Sequence, residues 1–100
     1  MPDPVVVVAS GMTERVLQGH VVSMARALGW LCYHTYDSRR SAEGFPDLTL
    51  ARRGEVLFVE LKTERGRVTE AQARWLAELP VAYLWRPSAL ISGEIERMLR

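Results

Sequence analysis

Two apolar runs flank a short polar turn near the middle of the chain. Leu48-Thr49-Leu50 precedes the turn, Val56-Leu57-Phe58-Val59 follows it, and Arg52-Arg53-Gly54 lies between. High strand propensity on both sides of a glycine-containing turn predicts a β-hairpin. A loop of two residues (Arg53-Gly54) or of four (Arg52 to Glu55) pairs positions whose numbers sum to 107, which sets Asp47 opposite Glu60. A three-residue loop slips the register by one and sets Asp47 against Leu61 instead. In the first register the two acids share a face, and Lys62, two residues beyond Glu60, emerges on it too. Val56 and Phe58 also lie on that face, while Leu57, Val59 and Leu61 line the other, so the second strand reads as buried on both sides.

Upstream, Leu17, Val21, Met24 and Leu28 recur at spacings of three and four, the pattern of an amphipathic helix, with Thr13 as N-cap and Gly29 as stop. Glu14 falls in the first turn, in line with that apolar stripe, where a carboxylate also suits the helix dipole. Trp30 to Tyr36 reads as the first core strand, and the polar stretch 37–44 as a loop into the hairpin. After Lys62, residues 63–67 form a loop, and Thr69 and Gln72 have the spacing of a capping box opening a helix that Pro80 ends. Trp75, Leu76 and Leu79 form the core face of that helix. Val81 to Trp85 is the last strand, ended by Arg86-Pro87, and Ile91 to Leu99 contains a closing helix with Ile95, Met98 and Leu99 buried. The order is α-β-β-β-α-β-α. Residues 1–12, with two prolines and four consecutive valines, read as a tail, an added edge strand or a segment docked on a partner, and residues 13–100 as one domain.

Composition narrows the class. One hundred residues, 48% hydrophobic and 25% charged, fit one soluble globular domain, near the size where oligomerisation contributes. A net charge of +1 argues against a strongly basic coat, so any nucleic-acid contact comes from local patches. The single cysteine, Cys32, rules out an intramolecular disulfide and a cysteine zinc site. No basic leader and no membrane-length apolar run is present, which points to a reducing intracellular compartment. His20 and His34 have no Ser or Cys partner in the pattern and read as ordinary, partly buried histidines.

The chemistry concentrates on the hairpin. Like charges directly opposite one another destabilise a strand pair, and carboxylates on a largely apolar face are costly unless paired or bound to a metal. A hard cation such as Mg²⁺ or Mn²⁺, which prefers oxygen ligands, resolves the conflict at Asp47 and Glu60. The bland alternative is a Glu60–Lys62 salt bridge at a strand end with Asp47 as a turn residue. Arg39 and Arg40, and Arg52 and Arg53 at the hairpin tip, either grip a phosphodiester backbone or solvate their loops. Arg65, Arg67 and Arg74, flanking the end of the acidic strand, are the better phosphate candidates.

Pro46-Asp47 followed across a hairpin by Glu60-Leu61-Lys62 resembles the PD-(D/E)XK nuclease signature. Glu14, Gly44-Phe45-Pro46-Asp47-Leu48 and Thr69-Glu70-Ala71-Gln72 are similar to motifs of its small VRR-NUC branch. The resemblance runs from about Thr13 to the last helix. It implies an α/β, restriction-endonuclease-like α-β-β-β-α-β core with a mixed sheet flanked by helices. It implies Glu14, Asp47, Glu60, Lys62 and Gln72 as catalytic residues, and a metal held by Asp47, Glu60 and the Leu61 carbonyl, with Glu14 direct or through water.

The function that follows is Mg²⁺-dependent hydrolysis of DNA phosphodiesters, with Mn²⁺ as a substitute and no nucleotide cofactor. Small stand-alone members of the family resemble Holliday-junction resolvases, which makes a homodimer acting on branched DNA the expected state. The cytoplasm of a bacterial or phage-infected cell is the expected location. Two rivals differ in outcome: a non-catalytic DNA-binding or assembly subunit binds without cutting, and a restriction-like endonuclease cuts one short sequence on linear duplex.

Overall fold

The computed structural model describes residues 3–36 and 41–100. Its elements run α1 (Pro4–Gly11), α2 (Glu14–Ala27), β1 (Leu31–His34), β2 (Leu48–Arg52), β3 (Glu55–Leu61), α3 (Glu70–Glu78), β4 (Ala82–Trp85), α4 (Pro87–Ile91) and α5 (Glu94–Leu99). The four strands form one mixed sheet in chain order, antiparallel from β1 to β3 and parallel between β3 and β4. A parallel pair needs a crossover connection, and α3 supplies it. This is the α/β, restriction-endonuclease-like core that the motifs imply.

The hairpin closes through two residues. Arg52 pairs with Glu55, while Arg53 and Gly54 both take positive φ, 51° and 82°. That is the type I′ geometry whose twist matches the flanking strands. The resulting register pairs Leu48 with Val59 and Leu50 with Leu57. Asp47 therefore comes to the ladder opposite Glu60, and the slipped alternative does not occur.

One face of the sheet carries the core. Leu48, Leu50, Leu57, Val59, Leu61 and Trp85 pack with Leu17, Val21 and Ala25 of α2 and with Ile95 and Leu99 of α5. Burying each such side chain contributes about 1.5–3 kcal/mol, which is why the apolar spacing of α2 dictates how it lies on the sheet. The opposite face is covered through Phe45, which meets Phe58 of β3 edge-on at 5.9 Å and Trp75 of α3 at 5.0 Å. The outer part of the sheet is open: Leu31 and Tyr33 of β1 are 77% and 63% exposed, and Val56 is 43% exposed.

Several elements differ from their sequence expectation. Residues 4–11 are helical, neither a tail nor a strand. Asp3 caps them by accepting from the Val5 amide at 2.9 Å, Pro4 occupies the first turn, and α1 packs on α4 with Ala9 fully buried. Capping and burial of Ala9 outweigh the strand preference of four valines. β1 is an edge strand covering only Leu31–His34, because it has a neighbour on one side alone. Trp75, Leu76 and Leu79 are half-buried and α3 contains no buried residue, since it lies over the partly open face. The closing helix expected within 91–99 is present as α5, but a further short helix, α4, precedes it, and Gly93, with φ of 84°, separates the two. Arg52 is no loop solubiliser. It stacks over Trp30 at 4.3 Å and donates to the Leu28 and Arg100 carbonyls at 2.8 and 3.2 Å, tying the hairpin tip to both the end of α2 and the end of α5. Trp30 completes the clasp through its indole N–H, which donates to the Leu99 carbonyl at 2.9 Å.

Candidate active site

The backbone approach to Asp47 is fixed at several points. Pro46 is fully buried, the Thr35 hydroxyl donates to its carbonyl at 2.9 Å, and the Thr35 amide donates to the Asp47 carbonyl at 2.9 Å. The Asp47 carboxylate then reaches across to β3, where Oδ2 accepts from the Leu61 amide at 2.7 Å. A proline just before the strand is tolerated because its missing N–H is not needed by the ladder.

Gly44 sets the other boundary. Its φ is +84°, and a Cβ there would lie 2.5 Å from the Ala71 carbonyl carbon and 2.7 Å from the Gln72 amide nitrogen. The segment bearing Asp47 is thus pressed against the first turn of α3. Gly44→Ala is expected to cost at least about 2 kcal/mol, from left-handed strain plus overlap with backbone that has nowhere to move. In a domain of this size that lowers Tm by about 10 °C; a thermal melt within 2–3 °C of wild type (about half a kcal/mol) would show that the loop and α3 are not in register.

Glu60 is 3% exposed, and Lys62 beside it is 9% exposed. The Glu60 carboxyl is pushed up from 4.5 to about 9, first by burial, then by its hydrogen bond and repulsion with Asp47. Lys62 opposes this, and Glu14 adds a smaller repulsion. Glu60 Oε2 is buried with no hydrogen-bond partner among the described residues. Two facing acids, one with an orphaned oxygen, make a donor set suited to a proton or a hard cation. The Glu60–Lys62 salt bridge is absent: among the described residues the ion pair present is Arg100 with Glu96 at 3.3 Å. Nor do three or more His, Cys, Asp or Glu side chains come together among the described residues as a metal-holding group. The converging pair is Asp47 and Glu60, with Glu14 further off.

The remaining candidates separate. Glu14 opens α2 as an exposed first-turn residue beyond the Thr13 cap, and its charge is the smallest of the influences that raise Glu60. Gln72 closes the capping box of α3: its Oε1 accepts from the Thr69 amide at 2.9 Å while Thr69 Oγ1 accepts from the Gln72 amide at 3.1 Å. Its oxygen is therefore occupied by the cap. Arg65 and Arg67 are exposed on the loop after β3. Arg74 is exposed too, but shares a cavity of about 530 Å³ with Glu43, Glu70, Ala71, Trp75 and Glu78. Three carboxylates disfavour a phosphate there, and the cavity lies apart from the facing acids. Arg39 and Arg40 lie outside the described residues. His20 is exposed and His34 half-buried, its ring 4.8 Å from that of Tyr36.

The residue that sequence reasoning missed is Arg86. Read only as part of a strand terminator, it instead donates through Nη1 to three carbonyls of the loop that follows Lys62. The signal was out of reach without the parallel register, which sets Leu61 beside Trp85 and so brings Lys62 next to Arg86.

The VRR-NUC domain family model matches residues 4–81. No curated protein and no solved structure matches the chain. The matched span contains Glu14, Asp47, Glu60, Lys62 and Gln72, and the sheet brings Asp47, Glu60 and Lys62 together. With its acids facing across adjacent strands of this mixed sheet, the chain belongs to the VRR-NUC domain family, nuclease domains of the PD-(D/E)XK-like superfamily.

Proposed function

We propose that the chain is a metal-dependent DNA endonuclease that acts as a homodimer on branched duplexes such as four-way junctions. The observation that carries the reading is the buried Glu60 faced by the half-buried Asp47, whose mutual repulsion and unpartnered Glu60 Oε2 call for a cation. Asp47, Glu60 and the Leu61 carbonyl are the groups to hold Mg²⁺ or Mn²⁺. Such an ion supplies charge neutralisation at a phosphodiester oxygen and a more acidic water.

The protein's own groups do the rest. The Leu61 amide holds one Asp47 oxygen at β3, which steadies the carboxylate against Glu60, where the two acids would share the ion. Lys62, largely buried, keeps an ammonium beside the acids, where it stabilises negative charge developing on the phosphorus oxygens or orients the attacking water. Glu14 orients water entering from solvent. Arg65 and Arg67, exposed just past Lys62, hold the phosphate backbone and read shape more than sequence. The dimeric reading is supported by the unpaired edge at β1, where Leu31 and Tyr33 stand in solvent; a monomer gains nothing from such exposure.

Incubation of the purified chain with a four-way junction and a linear duplex, with and without Mg²⁺, tests the proposal. Paired cuts near the branch that require Mg²⁺ are expected. Cutting at one short sequence on linear duplex favours a restriction-like enzyme. Tight binding without cleavage favours an assembly subunit.

A further inference from the structure

We infer that Arg86 is a positioning residue for Lys62: it clasps the 63–66 turn, which in turn fixes the lysine stem beside the two acids. The inference rests on the phosphodiesterase reading above for what Lys62 does, and on geometry alone for how it is held.

Lys62 is the last residue that β3 holds, its amide donating to the Trp85 carbonyl at 3.1 Å. The chain then turns back, with the Gly66 amide donating to the Thr63 carbonyl at 3.2 Å. Gly66 is packed so closely that a Cβ there would lie 2.8 Å from Thr63 Oγ1 and 3.5 Å from Lys62 Cδ. The turn therefore runs close beside the lysine stem, with space for no more than a methyl group between Gly66 and Lys62 Cδ. A free loop would not keep that approach, because ordering it costs about 1–2 kcal/mol per residue in backbone entropy.

Arg86 supplies the order. Its Nη1 donates to the carbonyls of Thr63 at 2.7 Å, Glu64 at 3.2 Å and Gly66 at 2.8 Å. Hydrogen bonds from a charged donor are shorter and roughly twice as strong as neutral ones; Nη1 carries two hydrogens, so the Thr63 and Gly66 carbonyls take the two short bonds and the Glu64 carbonyl shares one of them. A second tie runs the other way: the Glu64 carboxylate accepts from the Ser88 amide at 3.0 Å, in the first turn of α4. The corner between β4 and α4 thus holds the loop from both sides, and the loop holds Lys62. Arg86 is half-buried and engaged with backbone, unlike the exposed Arg65 and Arg67.

Displacement of a reacting group by about 1 Å can cost about a hundredfold in rate. Arg86→Met is expected to lower kcat for Mg²⁺-dependent junction cleavage, measured at saturating DNA, by about tenfold to a hundredfold; KM rises as well, because Arg65 and Arg67 ride on the same loop. Arg86→Lys, which keeps a cation for the carbonyls but not the planar fork, recovers part of that loss. Amide hydrogen exchange measured on the same proteins, without DNA, rises at Gly66 and Ser88 in Arg86→Met. Glu64→Ala gives a smaller loss of kcat and faster exchange at Ser88, and decides the matter if Arg86→Met does not fold.

A wild-type kcat in a variant whose Gly66 amide has become labile overturns the inference. So does a lost kcat with unchanged exchange, or a rise in KM with wild-type kcat, which would make the clasp serve DNA binding by the loop and not the placing of Lys62. If the wild-type chain cleaves nothing, the phosphodiesterase reading and the role of Lys62 fall together. The exchange data, which need no substrate, separate that outcome from failure of the clasp.

Discussion

Asp47→Ala and Glu60→Gln are each expected to reduce Mg²⁺-dependent DNA cleavage by a thousandfold or more. Such a loss corresponds to about 4 kcal/mol of transition-state stabilisation, a reasonable magnitude for removing a charge that anchors the catalytic ion. The two substitutions lose activity for the same reason and differ in what they do to the fold. Asp47→Ala also removes the acceptor of the Leu61 amide, leaving a donor on β3 without its partner, so some stability is lost with activity. Glu60→Gln keeps shape and removes only a charge. Rates measured under single-turnover conditions, beside circular dichroism of each variant, separate loss of chemistry from loss of structure. Cleavage by Glu60→Gln at a rate within tenfold of wild type would remove the acid pair from the mechanism.

The second large effect is on stability, and its direction follows from burial. The folded Glu60 carboxyl sits at about 9, against 4.5 for the free group, chiefly because it is buried and secondarily because Asp47 faces it. Between those values the folded chain retains a proton that the unfolded chain has released. Stability of the metal-free protein is therefore fully present below about 4.5 and falls as pH rises through about 9. If only a third of that displacement is expressed, the loss is about 2 kcal/mol at 1.36 kcal/mol per pH unit, or about 10 °C in Tm. Glu60→Gln flattens the profile and is more stable than wild type at pH 8 in a chelator. Adding Mn²⁺ to the wild type at that pH reverses the deficit, since a ligand that binds only the folded state stabilises it by mass action. Scanning calorimetry at pH 5, 7 and 9 decides it; parallel curves for wild type and Glu60→Gln would show that the acid is not strained.

The hairpin and its consequence were legible because they depend on local rules. A Gly in the turn, alternation along Val56 to Leu61 and the position of Asp47 after Pro46 narrow the register to two choices, and the two-residue closure at Arg53-Gly54 selects the one that sets Asp47 opposite Glu60. The apolar stripe of Leu17 and Val21, the Thr13 cap and the Thr69–Gln72 box are equally local, and all appear in the fold. What escaped depends on contacts far apart in sequence. Four valines look like strand until Asp3 caps them and α4 receives Ala9. Arg52 looks like a solvated loop residue until Leu28 and Arg100 arrive beside it. Arg86 acquires its role only when β4 enters the sheet parallel to β3 and delivers it to the turn after Lys62. Gln72 shows a different ambiguity: the same residue type at the same spacing satisfies a helix cap and a nuclease motif, and the cap is what its oxygen does here.

A crystal soaked in Mn²⁺ and examined by anomalous scattering addresses the facing carboxylates most directly. A peak within coordination distance of both Asp47 and Glu60, with the Leu61 carbonyl as a further oxygen, is the predicted result. Two acids held together by a shared proton, with no manganese between them at neutral pH, would contradict it.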